Sequence, residues 1–78
     1  MSKREFLSEA ELTAFAKEVR KKAGIRRAQA ARDMGVSQTS IFQAEEKPEQ
    51  GLLKLRMRMI EAYSPFKVTE PLFLLVKK

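Results

Sequence analysis

The feature that most constrains this chain is the Gly35-Val36-Ser37 break inside a stretch of helical character. Glycine adopts the positive φ of a helix C-terminus at little steric cost, so Gly35 can end one helix. Ser37 can begin the next, because its hydroxyl can accept a hydrogen bond from an early backbone N–H. Val36 is apolar, which predicts that the turn packs on a core. The stretch Arg26–Glu45 is therefore predicted to be two short helices joined by a tight turn.

The second of these helices has an unusual predicted outer surface. Ile41 is its inward anchor, and Gln38, Thr39 and Gln43 lie on its outward half. Most surface helices carry Glu and Lys there, whereas amide and hydroxyl groups combine donors with acceptors and suit the edges of DNA bases. We predict that these three residues read bases; the alternative is a solvated polar face without function. Phe42 is left open between structural packing and contact with a thymine methyl group or a dimer partner.

Length and composition narrow the possible functions. The chain has 78 residues, which predicts a single domain, and a net charge of +6, which favours a polyanionic partner. It contains no cysteine and no histidine, which excludes disulfides, Cys/His zinc sites, thiol nucleophiles and histidine acid–base catalysis. No carboxylate pair or glycine-rich loop suggests an active site. We expect no enzyme activity, no catalytic residue, no bound metal and no cofactor.

The remaining helices follow from capping and periodicity. Residues 1–7 are predicted to be a flexible N-terminus, and 8–63 a helical core. Ser8 and Glu11 form a capping box at the start of the first helix. The predicted helices are Glu9–Ala23, Arg27–Met34, Gln38–Glu46 and Leu52–Tyr63.

Apolar residues at helical spacing predict which faces of these helices pack in the core. They are Leu12, Phe15, Ala16, Val19 and Ala23 in the first helix, Ala28, Ala31 and Met34 in the second, and Leu52, Leu55, Met59, Tyr63 and either Ala62 or Ile60 in the fourth. Lys54, Arg56 and Arg58 are predicted to form a basic side of the fourth helix.

The tail, residues 64–78, changes character. Phe66–Thr69 alternates in polarity, and Leu72–Val76 is a continuous apolar run, so both are predicted strands. They could pair as a hairpin around Glu70-Pro71, or one could pair with the same strand of a second chain. Because an isolated hairpin is marginal in water and an exposed apolar edge promotes association, we expect a homodimer built partly on residues 64–78. The fold class is thus mostly α: a small bundle of four or five helices with a short C-terminal strand or hairpin.

The ordered set of residues from Ala16 to Tyr63 resembles the helix-turn-helix domain of the phage-repressor (Xre/Cro-like) family. The resemblance lies in Val19–Ile25, in Ala30–Gln38 through the turn, and in Ser40, Ile41 and Glu45. It implies that helix 38–46 enters the DNA major groove, and that Arg20 and Glu45 form an ion pair between the first and third helices. This sequence departs from the family pattern at Arg27, commonly Gln, and at Ala30, commonly Leu.

Phosphate contacts are predicted at the start of the second helix. Arg26 and Arg27 lie where free N–H groups and the helix dipole favour an anion. Gln29 and Ser40 could add neutral hydrogen bonds. Such contacts position a protein on DNA without specifying sequence.

We therefore expect a sequence-specific, double-stranded DNA-binding protein, a prokaryotic or phage transcriptional repressor that acts as a homodimer in the cytoplasm. The first alternative is an antitoxin-type module that neutralises a protein partner (a toxin) and regulates its own operon. A membrane-surface protein is disfavoured, because helix 4 has no Trp/Phe-rich face opposite its arginines. No apolar run approaches the roughly 18 to 20 residues of a membrane span, and the charged N-terminus has no signal-peptide pattern.

Overall fold

A computed structural model of the chain describes residues 5–69 and 74–78, and the side chains of Glu5, Phe6 and Leu74 are not described. Four helices precede a short C-terminal hairpin, as the sequence predicts. The elements in chain order are β1 (Glu5–Phe6), α1 (Glu9–Lys22), α2 (Arg27–Met34), α3 (Gln38–Glu46), α4 (Leu53–Tyr63), β2 (Phe66–Thr69) and β3 (Leu74–Lys77). Within the described residues, no helix has the length and apolar content needed to cross a membrane.

Local capping chemistry sets the helix ends. At α1 the Ser8 hydroxyl accepts the Glu11 N–H at 3.1 Å, and the Glu11 carboxylate accepts the Ser8 N–H at 2.9 Å, which completes the capping box. Gly35 ends α2 in the left-handed region at φ 70°. The Val36 N–H then returns to the Ala31 carbonyl at 3.0 Å, as in a Schellman motif. The Gly35 conformation and the Val36 bond fix the turn of residues 35–37 between α2 and α3.

The core lies between the helices and the sheet. Leu12, Ile41, Met59 and Ile60 are its fully buried large apolar residues. Ala30 is also fully buried. The predicted packing face of α2 omitted it. Its methyl group lets another element come close to α2, where a longer side chain would need more room.

Some of the residues predicted to pack in the core are not buried. Ala23 follows the last residue of α1 as its C-cap and is exposed, and Ala62 is exposed as well. Of the two residues left open in α4, Ile60 is the buried one. Phe15 is half-buried, and its ring centroid lies 6.4 Å from that of Phe66. This aromatic contact connects α1 to β2.

The predicted basic side of α4 was wrong at Arg56. This side chain is completely buried. Its Nε, Nη1 and Nη2 donate to the carbonyls of Ala44, Gln50 and Lys47 at 2.9, 3.1 and 2.6 Å. The Ala44 carbonyl has no helical donor, because the residue four positions later is Pro48, and the guanidinium supplies one. It adds a second bond to the Lys47 and Gln50 carbonyls, which also accept backbone N–H groups of the turn. Burial lowers the pKa of Arg56 from its ordinary value.

Two further α4 side chains contact α2. Arg58, an exposed residue, donates Nη2 to the Met34 carbonyl at 2.9 Å. Tyr63 donates its hydroxyl to the Asp33 carboxylate at 2.6 Å. Burial, and then the hydrogen bond to Asp33, raise the pKa of the Tyr63 phenol well above its ordinary value. Together, these bonds hold the C-terminal end of α2 against α4.

The tail forms a hairpin within one chain. β2 and β3 pair antiparallel, with Val68 opposite Leu75, and β1 adds a third strand on the far side of β3. The β1 strand differs from the flexible N-terminus expected for residues 1–7, because Glu5 and Phe6 pair with Leu75 and Leu74. Residues 1–4, the start of the strand predicted at Leu72, and the Glu70-Pro71 turn lie outside the described residues.

Arg56→Lys tests the buried guanidinium. Lysine keeps the charge but cannot present the planar fork that reaches three carbonyls. We expect a loss of about 2 kcal/mol in the free energy of unfolding, since buried carbonyls lose a charged donor. Urea denaturation followed by circular dichroism measures it. Arg58→Lys is the matched control, and a loss as large as that of Arg56→Lys would contradict the assignment.

The Tyr63 contact predicts a shifted phenol titration that is simple to observe, because Tyr63 is the only tyrosine. Its ultraviolet absorbance should report ionisation above pH 10.0, the ordinary phenol value. Asp33→Asn should lower that pKa without restoring the ordinary value, because burial is the larger cause. Since the folded pKa is raised, the stabilisation is complete below the ordinary value and is lost as the pH rises through the folded pKa. Glu61→Gln is the control that should leave the titration unchanged.

Candidate nucleic-acid interface

The outward side of α3 presents unengaged polar side chains. Gln38 and Thr39 are exposed, and Gln43 is half-buried. None of the three makes a side-chain hydrogen bond to a residue between 5 and 69 or between 74 and 78. Their amide and hydroxyl groups are therefore available to a ligand that offers both donors and acceptors.

Ser40 takes part in the cap of α3. Its N–H donates to the Ser37 hydroxyl at 3.1 Å, and the two hydroxyl oxygens lie 3.0 Å apart. The side chain is half-buried. The predicted phosphate contact from Ser40 would have to use the hydrogen-bonding capacity that this cap leaves free.

The ion pair predicted between Arg20 and Glu45 is present. The Glu45 side chain has no exposed surface. Both its oxygens are bound by Arg20, Oε2 by Nε and Oε1 by Nη2, the latter at 3.0 Å. Nη1 of Arg20 also donates to the Ile25 carbonyl at 2.6 Å. The pair joins α1, the link before α2, and the end of α3.

Arg27, predicted as a phosphate ligand, is held by protein groups. Its Nε donates to Oε1 of Glu45 at 3.0 Å, and its Nη2 donates to Oε2 of Glu46 at 3.1 Å. Its guanidinium carbon also lies 5.1 Å from the centroid of the Phe42 ring, within cation–π range. Lys17 binds Glu46 too, and this hydrogen bond lowers the pKa of the Glu46 carboxyl. Arg27 thus belongs first to the network around the end of α3.

Arg26 is placed differently from Arg27. It is the N-cap residue of α2, is exposed, and makes no side-chain cap. The first turn of α2 contains no acidic residue. The early N–H groups of this eight-residue helix therefore lack a competing side-chain acceptor, and a cation lies directly beside them. This combination favours an anion.

Gln29, the third predicted phosphate residue of α2, already has two side-chain partners. Its amide donates to Asp33 at 2.7 Å and accepts from Arg32 at 2.9 Å. The hydrogen bonds from Tyr63 and then from Gln29 lower the pKa of the Asp33 carboxyl. A phosphate contact from Gln29 would have to use the second N–H of its amide, which donates to no described residue.

Sequence reasoning left Phe42 open, and the structure places it at the surface. It is 42% exposed, and no other large hydrophobic residue whose side chain the structure describes is exposed. The sequence contains an indication of this exposure, because Phe42 directly follows Ile41, whose side chain points inward. Adjacent positions on a helix differ by about 100° in direction. Phe42 therefore lies on the same outward side of α3 as Gln38 and Thr39.

Comparisons with models of known protein families, with curated proteins and with solved structures found no match to this chain.

The buried carboxylate predicts unequal effects for two neighbouring glutamates. Glu45→Ala should lower the free energy of unfolding by about 3 kcal/mol or more, because it leaves the Arg20 charge uncompensated in a buried site. Glu46→Ala should have a smaller effect, since the Glu46 side chain is 32% exposed and solvent screens its ion pairs. Thermal melts of the two variants provide the comparison. Equal melting shifts would rule out the special role of Glu45.

Proposed function

We propose that this protein binds double-stranded DNA at specific sequences and acts as a transcriptional regulator, a repressor, with α3 in the major groove. One observation carries the proposal: α3 presents Gln38 and Thr39 without a side-chain partner among the described residues, close in sequence to a helix start at Arg26 that favours an anion. The resemblance to phage-repressor helix-turn-helix domains supports the same reading. The proposed function involves no enzyme activity, and we place it in the cytoplasm.

Base reading is assigned to the amide and hydroxyl groups of α3. A glutamine can pair bidentately with the N6 and N7 atoms of adenine, and a threonine can bond to a base or pack its methyl group on thymine. Gln38 and Thr39 are the principal readers because they are exposed. Gln43 is half-buried, so it would contact bases at the edge of the interface and contribute less to base reading.

Phosphate binding is assigned first to Arg26 and to the N–H groups that open α2. Ser40 and Gln29 follow, since each already has an internal hydrogen bond. Arg27 can contribute through Nη1, which has no hydrogen bond to a described residue, and through Nη2 if it releases Glu46. Its Nε is bound to the buried Glu45.

A homodimer completes the proposal. The short sheet has the order β1-β3-β2, so β2 lies at one edge, within the tail proposed for dimerisation. Pairing of two such edges would extend the sheet and bring two copies of α3 to one side of a duplex. Recognition helices of such dimers read half-sites about 34 to 36 Å apart, or one helical turn. The bound sequence should then be nearly palindromic.

Selection of bound sequences from a random duplex pool tests the proposal. The selected duplex should contain two related half-sites and bind two chains in sedimentation experiments. Its affinity should fall steeply with salt as phosphate counterions are released. Gln38→Ala should weaken the selected duplex by about 10- to 100-fold and leave random duplex unaffected. Arg26→Ala should weaken both duplexes alike and reduce the salt slope by about one unit.

Lys21→Ala is the matched control for Arg26→Ala, because it removes the same charge from an exposed position of α1 that has no assigned part in DNA binding or dimerisation. Salt-independent affinity, or equal affinity for selected and random duplex, would refute specific binding. A monomeric chain that binds no duplex would favour the antitoxin-type alternative, in which the tail contacts a different protein.

A further inference from the structure

Phe42 has no assigned role in base or phosphate binding, yet it lies among the proposed readers. Its side chain is 42% exposed on α3, one turn after Gln38 and Thr39. An aromatic ring in water gives up the free energy that apolar contact would provide. The sequence places this ring where the rest of the outward side is polar.

The ring is also held in place. The Arg27 guanidinium lies over it at 5.1 Å, and that guanidinium is itself bound to Glu45 at 3.0 Å and Glu46 at 3.1 Å. Glu45 is buried and fixed by Arg20. A ring packed on a guanidinium anchored in this way loses little conformational freedom when a ligand arrives, which favours binding.

The surroundings of the ring indicate what it contacts. Protein interfaces have an apolar centre, and functional apolar patches commonly cover several hundred Å². Phe42 is the single exposed large hydrophobic residue among the side chains that the structure describes, with exposed Gln38 and Thr39 in the preceding turn. It matches a small apolar group surrounded by hydrogen-bonding groups. In the major groove, the C5-methyl group of thymine is such a group.

We propose that Phe42 determines sequence specificity by packing on the C5-methyl group of a thymine, and that Arg27 is the positioning residue for its ring. This inference rests on the DNA-binding function proposed above. It adds an apolar contact to the polar readers. It also predicts that the protein distinguishes thymine from uracil, which has the same hydrogen-bonding groups and lacks only the methyl.

The test replaces each dT of the selected duplex singly by dU and measures dissociation constants by fluorescence anisotropy. At the thymine read by Phe42, uracil should weaken binding about fourfold, the equivalent of one buried methyl group. Phe42→Ala should bind the dT and dU duplexes equally at that position. Phe42→Leu keeps an apolar side chain and should retain part of the discrimination.

Thr39→Ser separates the two methyl-reading candidates, because it removes the threonine methyl and keeps the hydroxyl. It should leave unchanged the ratio of the affinities for the dT and dU duplexes at the thymine read by Phe42. Arg27→Gln should lower that affinity ratio. A general loss of folding would weaken binding to both duplexes alike and leave the ratio unchanged. Melting curves confirm that each variant folds, and the scan on the unmodified protein does not depend on any variant.

The outcomes separate the two proposals. If the unmodified protein binds no duplex specifically, both fail. If it binds specifically but no single dU substitution weakens it, or if Phe42→Ala keeps the discrimination, the Phe42 inference alone is overturned. It is also overturned if Phe42→Ala leaves the ratio intact and instead changes the oligomeric state in sedimentation, which would assign the ring to a second copy of the chain.

Discussion

The arrangement of the helices depends on one carboxylate that is removed from water. The Glu45 side chain has no exposed surface, and an unpaired charge there would cost several kcal/mol. Arg20 from α1 and Arg27 from α2 both bind it. Because three helices meet at this group, it fixes α3 against both neighbours. The orientation of the outward side of α3 is therefore set by an interaction on its inner side.

The arginines of this chain show why net charge is an ambiguous guide to function. A net charge of +6 favours a polyanionic partner. Yet Arg56 is fully buried against backbone carbonyls, and Arg58 donates to the end of α2. Both serve the fold by donating to backbone carbonyl groups at helix ends and in the turn after α3. The charge relevant to a ligand is the charge left exposed, such as that of Arg26 at the start of α2.

The parts of the fold that the sequence predicted are those set by neighbours in the chain. Gly35 and Ser37 act within a few residues, so the bounds of α2 and α3 follow from local chemistry. The role of Arg56 could not be predicted in this way, because its carbonyl partners lie in a different helix and turn. The strand at Glu5–Phe6 was missed for the same reason, since two residues carry little pattern and their pairing partner is β3.

The candidate site shows the same division within a single residue, Arg27. Its position at the start of α2 predicts a phosphate ligand, but its contacts with Glu45, Glu46 and Phe42 come from the tertiary structure. These contacts differ in cost. Releasing Glu45 would remove a partner from a buried carboxylate, whereas Glu46 is partly exposed and also pairs with Lys17. A phosphate oxygen could replace the Glu46 oxygen at Nη2 at little cost, because exposed ion pairs contribute little. Nη1 has no hydrogen bond to a described residue, so it needs no exchange at all. Arg27 can therefore bind phosphate through its Nη nitrogens while its Nε remains on Glu45, and the predicted role and the observed contacts are compatible.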